Sequence, residues 1–402
     1  MSKPKIRFKG CQGEWERKKA KDIFTIFDER KRPDLPVLSA YQDIRGMAIR
    51  SESGYDISHD RSNEITYKHV LPGQFVIHLR SFQGGFAHSS VEGITSPAYT
   101  VFGFKNVDKY DDYYWKYIFM SKTFISRLKL ITYGIRDGRS ISFTDFADFE
   151  FVIPTFTEQR QIAAYFRSLD GILSGCEVRL SSLRRLKEGA LQAFFPQQGE
   201  TQPRIRFKGC KGEWEKKKLG EIARKVSEKN TQCEYKETFT NSAEMGIISQ
   251  LDYFDHDITN KANIAGYYVV QPDDFVYNPR ISVTAPVGPI SRNKLGRCGI
   301  MSPLYTVFHF EKVDNGFMEY YFKTIVWHSF MYQEGNTGAR NDRFSIKDSV
   351  FFTMPILLPP TLAEQLQIAN FFRTLDRRIE LDRQRLEKLK QLKAACLEKM
   401  FV

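Results

Sequence analysis

The sequence predicts an α/β (α+β) protein with two copies of one module, joined by two long antiparallel coiled-coil helices with pseudo-two-fold symmetry. Two repeats within the chain predict this architecture. Residues 4–16 return almost unchanged as residues 203–215. Residues 158–163 return as residues 364–369, and each copy opens a polar segment of about 40 residues without proline. Self-similarity of this kind is typical of a chain built from two copies of one unit.

Each copy begins with the block Phe-Lys-Gly-Cys-x-Gly-Glu-Trp-Glu, which is followed by a basic run. The two glycines predict a turn, and Trp15 and Trp214 are predicted to anchor the core. Runs rich in β-branched and aromatic residues predict strands at 74–79 and 98–104 in the first copy, and at 274–277 and 304–310 in the second. Aromatic segments at 113–124 and 317–332 predict short helices that pack on each sheet.

A capping box marks the start of each long helix: Thr155 with Glu158, and Thr361 with Glu364. Apolar residues then recur at heptad-like spacing. In the first helix they are Leu169, Leu173, Cys176, Leu180, Leu183 and Ala190, and in the second Leu375, Ile379, Leu386, Leu389 and Cys396. Because neither stripe can be buried on its own segment, we expect the two helices to pack on each other. The alternative is a pair of separate coiled-coil tails that dimerise with other chains.

These signals divide the chain into predicted segments. They are a first module at residues 1–153, a helical spacer at 154–196, a polar linker at 197–202, a second module at 203–359 and a second helical spacer at 360–402. Within the modules the framework repeats, whereas the intervening loops differ between the copies.

The composition, with 42% hydrophobic and 27% charged residues, is that of a folded protein, and the net charge is +12. This basic balance favours an anionic partner, most commonly nucleic acid, although a basic protein without special affinity is the alternative. No apolar stretch is long enough to span a membrane, and no signal peptide is visible. The six cysteines show no C-x-x-C spacing, which argues against a zinc site and favours a reduced, cytoplasmic setting.

The sequence lacks the motifs H-E-x-x-H, G-x-S-x-G, G-x-G-x-x-G and G-x-x-x-x-G-K-[ST]. The seven histidines are scattered without the spacing of metal ligands. Residues 278–280, Asn-Pro-Arg, match only part of the N-P-P-[FY] loop of amino-methyltransferases, since the second proline and the aromatic residue are missing. The sequence therefore predicts a binding protein without catalytic residues, a cofactor or a metal.

Two diverged modules on a helical spacer predict recognition of a bipartite DNA site, in which phosphate contacts supply affinity and base contacts supply specificity. Arginines matched in both copies are predicted to hold phosphates or build the frame, and the alternative for each is an internal salt bridge. They are Arg80 and Arg280, Arg136 and Arg340, and Arg139 and Arg343. Unmatched loop residues are predicted to read bases, and the alternative for each is a solvated side chain. They are Gln83 and His88 in the first module, and Thr284, Arg292, Asn293, Lys294 and Arg297 in the second.

Four blocks, taken together, carry a family resemblance. They are Phe-x-Gly-x-x-Gly-Glu-Trp-Glu with the following Leu-Gly-Glu-Ile at 219–222, the strand Ser-Pro-x-Tyr-x-Val-Phe, the turn Gly-x-Arg, and Pro-x-x-x-Glu-Gln-x-x-Ile-Ala at each helix start. Apart from Leu-Gly-Glu-Ile, which reads Ala-Lys-Asp-Ile at 20–23, all occur twice and in order. On these blocks the chain resembles the specificity subunit, HsdS, of type I restriction-modification systems.

The resemblance implies two target-recognition domains, each of which reads one half of an asymmetric, split site in double-stranded DNA. It implies two modification (methyltransferase) subunits, HsdM, that bring S-adenosylmethionine, and restriction subunits, HsdR, that use ATP and Mg²⁺. The long helices would then serve as a ruler and as a docking surface, and none of these cofactors would bind this chain. Two alternatives stay open: an orphan specificity subunit that acts outside a restriction complex, and a coiled-coil adaptor without DNA affinity.

Overall fold

The structure, a computed structural model, describes residues 3–41, 46–53, 61–78, 85–131, 141–253, 261–337 and 342–402 of the 402-residue chain. The chain divides into two compact units. Unit 1 is Met1–Arg179 with Asp382–Val402, and unit 2 is Leu180–Leu381. Both boundaries fall inside the long helices, so each unit joins one module to the start of the helix that follows it and to the end of the other helix. The segment boundaries proposed from the sequence stay a prediction, since the compact units cut across both predicted spacers.

Unit 1 is built on an antiparallel sheet. Its strands within the described residues are β1 (Glu16–Lys19), β2 (Phe24–Phe27), β3 (Leu38–Ala40), β4 (Met47–Ile49), β5 (Lys68–Val70), β6 (Phe75–Ile77), β7 (Phe86–His88), β8 (Gly93–Thr95), β9 (Thr100–Phe104) and β10 (Glu150–Ile153). Its helices are α1 (Ala20–Ile23), α2 (Asp112–Met120), α3 (Lys122–Ile131), α4 (Phe143–Ala147) and the first part of α5 (Phe156–Phe194). The main sheet has the strand order β2-β9-β6-β7, and β1 pairs with β10 beside it.

Unit 2 repeats this plan. Its strands are β11 (Glu215–Lys218), β12 (Ala223–Lys225), β13 (Phe239–Ser242), β14 (Gly246–Ser249), β15 (Tyr268–Val270), β16 (Phe275–Tyr277), β17 (Ile290–Arg292), β18 (Gly299–Met301), β19 (Thr306–Phe310), β20 (Asn336–Thr337), β21 (Phe344–Ser345) and β22 (Pro355–Leu358). Its helices are α6 (Leu219–Ile222), α7 (Gln250–Tyr253), α8 (Asn315–Tyr321), α9 (His328–Glu334), α10 (Asp348–Phe351) and the first part of α11 (Leu362–Lys399). The sheet order β12-β19-β16-β17 matches that of unit 1 strand for strand.

Aromatic side chains fill the space between each sheet and the helices that cover it. In unit 1 the ring of Phe24 lies 4.8 Å from that of Trp115 on α2 and 5.3 Å from that of Phe102, both in edge-to-face geometry. In unit 2 Phe275 packs edge-to-face on Phe310 at 4.8 Å. Trp15 and Trp214 are buried as predicted, and the predicted strand runs contain β6, β9, β16 and β19.

The end of the opposite long helix completes the core of each unit. In unit 1 the ring of Phe401 lies 5.6 Å from that of Tyr114 and stacks on Phe166 at 5.9 Å. In unit 2 Phe195, the residue after α5, lies 5.2 Å from Phe317 and joins the same cluster as Trp214. Each module therefore buries its last apolar face against residues that follow the other module in the chain.

The two long helices run antiparallel where they meet inside unit 1. Lys390 Nζ lies 2.8 Å from Glu177 Oε1, and Arg179 Nε lies 2.9 Å from Asp382 Oδ2. Positions later in α5 therefore face positions earlier in α11. The predicted stripe lies at this contact and at its counterpart in unit 2: Leu173, Leu180 and Leu386 are buried, and Leu183, Ile379 and Leu389 are half-buried. This internal packing confirms the predicted pairing and removes the need for separate dimerising tails.

A buried ion pair ties the repeated N-terminal block to the start of each helix. Arg7 donates from Nε and Nη2 to the carboxylate of Glu158 at 2.9 and 2.7 Å. Arg206 makes the same pair with Glu364 at 2.8 and 2.6 Å. The glutamates are almost fully buried, and a two-bonded guanidinium–carboxylate pair of this kind fixes direction as well as distance.

The threonine interaction of each predicted capping box is confirmed, whereas the predicted glutamate interaction is wrong. The Thr155 hydroxyl accepts from the backbone N–H of Glu158 at 3.4 Å, and Thr361 accepts from Glu364 at 3.3 Å. The glutamate carboxylates, however, pair with Arg7 and with the matching arginine of unit 2 (Arg206) instead of reaching back to the cap. A charged partner makes a stronger hydrogen bond than a backbone N–H, which explains the exchange.

None of the helices in the described ranges is both long and apolar enough to cross a membrane.

Replacing Glu364 with glutamine should destabilise unit 2 by about 3 kcal/mol, because it leaves the Arg206 guanidinium without its buried counter-charge. Urea unfolding followed by tryptophan fluorescence measures the loss. The matched control is Glu311→Gln, which breaks an exposed pair with Arg224 and should cost at most about 1 kcal/mol. Equal losses for the two variants would show that the buried pair is no more than a surface contact.

Candidate nucleic-acid interface

Unit 2 contains a groove with a volume of about 410 Å³, lined by residues from three segments, 243–247, 284–294 without Asn293, and 319–328. The first segment is the turn between β13 and β14, the second is the connection from β16 through β17, and the third is the end of α8 with the residues before α9. Three of the predicted base readers, Thr284, Arg292 and Lys294, line this groove. These three side chains therefore face residues of α8 and of the segment after it, from which they are distant in sequence. We call this side of the groove, residues 319–328, the helical wall.

Strand pairing sets the position of Arg292. It is the last residue of β17 and lies opposite Phe275 in the antiparallel register. Its Nε and Nη2 donate to Asp273 Oδ1 at 2.9 and 2.7 Å, and its Nη1 lies 3.7 Å from Glu319. Asp273 has a backbone φ of +71°, and the same turn in unit 1 has glycine at position 73. An aspartate tolerates this left-handed conformation better than most side chains, and here it holds Arg292 at the groove.

Glu319 on α8 is the centre of the charged cluster in the groove. Its carboxylate lies 2.7 Å from Lys294 Nζ and 3.2 Å from Lys323 Nζ, and its side chain is only 10% exposed. Burial acts to raise the pKa of Glu319, but the charges of Lys323 and Lys294 outweigh it, so the pKa is lowered and the group stays ionised. The groove thus offers fixed cationic donors, with Glu319 and the exposed Glu244 as acceptors.

Two of the matched arginines lie side by side on unit 2. Arg280 and Arg343 form an antiparallel backbone bridge, which the bond from Phe344 N–H to Pro279 O supports at 2.7 Å. Both side chains are exposed. Arg280 follows β16 and leads into the loop that carries Thr284, so it lies on the chain segment that borders the groove, and Arg343 is paired with it by the backbone bridge.

The remaining exposed candidates have polar neighbours of their own. Arg297 donates from Nε and Nη2 to Glu237 at 2.8 and 2.7 Å, and this pairing lowers the pKa of the glutamate. The Thr284 hydroxyl lies 3.2 Å from the Ser282 hydroxyl on an exposed loop. A base edge could meet the Thr284 hydroxyl directly, whereas Arg297, like Arg292, is already bonded to a carboxylate through Nε and Nη2.

Two candidate base readers are corrected by their burial. His88 is 4% exposed, and its Nε2 lies 2.6 Å from Asp112 Oδ2 in the core of unit 1, where burial lowers the histidine pKa. Asn293 is 1% exposed, and its amide donates to the carbonyls of Gln271 and Arg297. A side chain enclosed in this way cannot reach a base edge, so both are framework residues.

The other candidates lie outside the described residues. They are Arg80, Gln83, Arg136, Arg139 and Arg340.

Sequence reasoning missed the helical wall of the groove. Glu319 and Lys323 lie in the aromatic segment that predicted only a packing helix. The N-cap aspartates at 111 and 314 align α2 with α8. In this alignment Lys116 of the first repeat is equivalent to Glu319, and Met120 is equivalent to Lys323. The sequence difference between the two repeats on this helix was therefore a signal from which the site residues could have been found. Among the described residues, no group of His, Cys, Asp or Glu is arranged to hold a metal ion.

The family is decided by a match that covers most of both repeats. The model of the type I restriction modification DNA specificity domain matches residues 12–177 and 211–391. The chain belongs to this family. It is a specificity subunit of a type I restriction-modification system, and specificity subunits recognise DNA and are not the catalytic subunits.

Solved structures of specificity subunits share the fold at low sequence identity. The S subunit from M. genitalium is 12% identical, with a TM-score of 0.55 over 100% of this chain and 99% of that one. The HsdS subunit from Thermoanaerobacter tengcongensis is 14% identical, with a TM-score of 0.50 over 97% of both chains. A third structure, concerned with complex assembly and conformational transition of the type I R-M system, is 13% identical, with a TM-score of 0.52 over 96% of this chain and 97% of that one. No curated protein matches the sequence.

The lowered pKa of Glu319 predicts a pH-dependent contribution to the stability of unit 2. Because the folded pKa lies below the ordinary value of 4.5, the carboxylate stabilises the unit above pH 4.5, and this contribution is lost as the pH falls through the lowered pKa. Glu319→Gln should therefore cost about 2 kcal/mol at pH 7 and progressively less below about pH 4.5. Urea midpoints of both proteins between pH 7 and 3 measure the difference.

The control for this experiment is Glu244→Gln, which changes an exposed carboxylate in the same groove and should leave the midpoint at pH 7 unchanged. A Glu319→Gln difference that stays constant down to pH 3 would show that the lysines do not hold this carboxylate.

Proposed function

We propose that each unit of this specificity subunit reads one half of a bipartite, asymmetric site in double-stranded DNA. One observation carries the proposal: a single position in the sheet has opposite roles in the two units. His88 lies opposite Phe75 in unit 1, and Arg292 lies opposite Phe275 in unit 2. The histidine is closed into the core, whereas the arginine lines a groove. Two units that share a fold but carry different side chains at equivalent positions are suited to two different half-sites.

The groove of unit 2 carries the kinds of side chain that read base edges. Arginine donates two hydrogen bonds to guanine in the major groove, and threonine serves as donor, acceptor or methyl contact. Arg292 and Thr284 lie on opposite ends of the same connection, and Lys294 adds a flexible donor. Because Arg292 is already held by Asp273, little side-chain entropy is lost when it meets a base.

Phosphate contacts supply the affinity in this proposal. Arg280 and Arg343 are exposed, adjacent and matched by arginines in the other copy, as expected of groups that meet a backbone that looks alike at both half-sites. Arg80, Arg136, Arg139 and Arg340 are proposed for the same role. The net charge of +12 supports this role, and a salt-dependent binding slope of several phosphates would exclude an adaptor without DNA affinity.

The long helices are proposed to set the distance between the half-sites. Helix α5 has 39 residues and α11 has 38, which at 1.5 Å per residue gives each a length of about 58 Å. Their antiparallel contact with buried leucines makes a stiff element, as a ruler requires.

We propose that two modification subunits, HsdM, dock on matched surfaces of the two repeats, and that restriction subunits, HsdR, join the assembly. Large apolar side chains are exposed at the same repeat positions in both units, which suits two copies of one partner. The matched pairs are Ile6 and Ile205, Phe156 and Leu362, and Leu186 and Leu392. S-adenosylmethionine, ATP and Mg²⁺ are expected on these partners. An orphan subunit would not co-purify with a methyltransferase, and this absence is the observation that would favour that alternative.

Arg292→Ala should weaken recognition at one half-site by about 1–3 kcal/mol and relax its sequence there, while the other half-site is unchanged. The measurement is the methylation motif of DNA exposed to the assembled complex, together with binding to duplexes altered in each half. Arg224→Ala, which removes an exposed arginine from β12, is the control and should leave both halves intact. A change in both halves would contradict the division of labour between the units.

Removal of one heptad from each helix, residues 180–186 and 386–392, should shorten the spacer between the half-sites. The pairs Asp170–Lys393 and Lys187–Asp376 lie outside the deleted segments, so both remain available to hold the helices in register. Seven residues correspond to about 10 Å, or about three base pairs. Sequencing of the methylated sites gives the spacer directly, and altered half-site sequences with an unchanged spacer would exclude the ruler.

A further inference from the structure

We propose that two matched Tyr–Asp–Lys triads fix the register of the antiparallel helix pair, and that they thereby fix the spacing at which the two units read DNA. The first triad is Tyr117, Asp170 and Lys393. The second is Tyr320, Asp376 and Lys187. The part that concerns spacing rests on the proposed function, whereas the part that concerns helix register does not.

The triad of unit 1 is compact and largely buried. The Tyr117 hydroxyl donates to Asp170 Oδ2 at 2.7 Å, and Lys393 Nζ lies 2.6 Å from Asp170 Oδ1. The lysine side chain is 10% exposed and the aspartate 14%. The ammonium group also lies 5.8 Å from the centroid of the Tyr117 ring, within the range of a cation–π contact. The tyrosine hydroxyl thus satisfies Oδ2, whereas the ammonium group is the counter-charge beside Oδ1, which accepts no hydrogen bond within the described residues.

The triad of unit 2 repeats this geometry. The Tyr320 hydroxyl donates to Asp376 Oδ2 at 2.9 Å, and Lys187 Nζ lies 2.5 Å from Asp376 Oδ1. Lys187 lies 6.0 Å from the centroid of the Tyr320 ring. Burial acts to raise the pKa of Asp376, but the hydrogen bond and charge of Lys187, with the charge of Lys323, outweigh it, so the pKa is lowered and the aspartate stays ionised. Two occurrences at matched positions show that the arrangement belongs to the repeat and is not an accident of one surface.

Each triad joins three different parts of the chain. In unit 1 the tyrosine lies on α2 of the module, the aspartate on α5, and the lysine on α11. In unit 2 the tyrosine lies on α8, the aspartate on α11, and the lysine on α5. Each repeat therefore supplies a tyrosine and an aspartate to its own unit and a lysine to the other. A contact with these three members holds the module and both helices at one relative position.

The apolar stripe cannot select this register by itself, because heptad spacing presents a similar surface after a slip of seven residues. Such a slip would place Asp170 opposite Leu386 or Met400 in place of Lys393. A carboxylate buried against an apolar side chain loses its counter-charge and keeps only the hydrogen bond from the tyrosine of its own repeat, which is strongly unfavourable.

The same slip removes the lysine of the second triad, and among the described residues Asp376 then keeps only Lys323 of its own repeat, at 3.8 Å, as a cationic neighbour. Asp376 would lie opposite Leu180 or Phe194 in place of Lys187. Both aspartates therefore oppose a slip in either direction. A polar contact within an apolar seam sets the register of coiled coils on the same principle.

The test uses the full chain in its assembled complex. Asp170→Asn with Asp376→Asn removes both charges at nearly constant volume and leaves the amide able to accept from each tyrosine. The expected result is an unchanged pair of half-sites with more than one spacer, the new class differing by about three base pairs. Exchange of the charged partners in both triads, D170K with K393D and D376K with K187D, should restore a single spacer.

The control is Lys390→Gln, which breaks an exposed pair with Glu177 on the same helix face and should leave the spacer unique. A single wild-type spacer in the D170N/D376N protein would overturn the proposal, because the apolar stripe and the helix-end contacts of Phe401 and Phe195 would then suffice to set the register.

A second measurement needs no DNA and remains valid if the charge-neutral protein folds poorly. Asp170→Asn, Lys393→Gln and the pair together form a double-mutant cycle on the urea midpoint. If the triad is coupled, the sum of the two single-variant shifts in the urea midpoint exceeds the shift of the double variant. A double-variant shift equal to that sum would overturn the proposal. If the wild-type complex proved to methylate an undivided site, the proposed function would fail, while the cycle would still report on the triad.

Discussion

Neither module can bury its last apolar face with its own residues, and the whole architecture depends on this constraint. Unit 1 closes its core with Phe401, which follows the second module, and unit 2 closes its core with Phe195, which follows the first. The long helices are the connections that make this exchange possible. Their antiparallel course is therefore a requirement of core packing as well as a means of spacing two binding surfaces.

The repeated residues and the diverged residues divide the physical work between them. The matched pairs Arg7–Glu158 and Arg206–Glu364 carry the strongest local contacts, and they hold the start of each helix in one direction. The groove of unit 2 is built from positions that differ between the copies, among them Arg292 and Glu319. A frame held by buried charge pairs tolerates such divergence in the charged groove residues, while the apolar residues Phe322 and Trp327 that line the groove belong to the core of unit 2.

Much of the fold could be predicted from the sequence because its signals are local or duplicated. Helix α5 begins immediately after the predicted cap Thr155, and the buried stripe follows the heptad spacing. The site was harder, because burial and charge pairing are properties of the folded unit. His88 and Asn293 look like polar loop residues, yet both are buried: His88 lies on a paired strand, and the amide of Asn293 bonds to backbone carbonyls after β17. The error for Glu319 was the reverse, because a groove residue was taken as part of a packing helix. The aromatic face of such a helix packs on the sheet, but the sequence alone does not show where its charged face points.

The exchange of helix ends has a consequence for the order in which the protein folds. The residues that cover Tyr114 and Phe166 are synthesised only after the whole second module has been made. The aromatic face of the first module must therefore stay open on the ribosome while the rest of the chain emerges. Exposed apolar surface in a half-finished module favours aggregation, and contacts between residues so far apart in sequence form slowly. Until Phe401 has been synthesised, the exposed aromatic face of the first module is a surface that chaperones can bind.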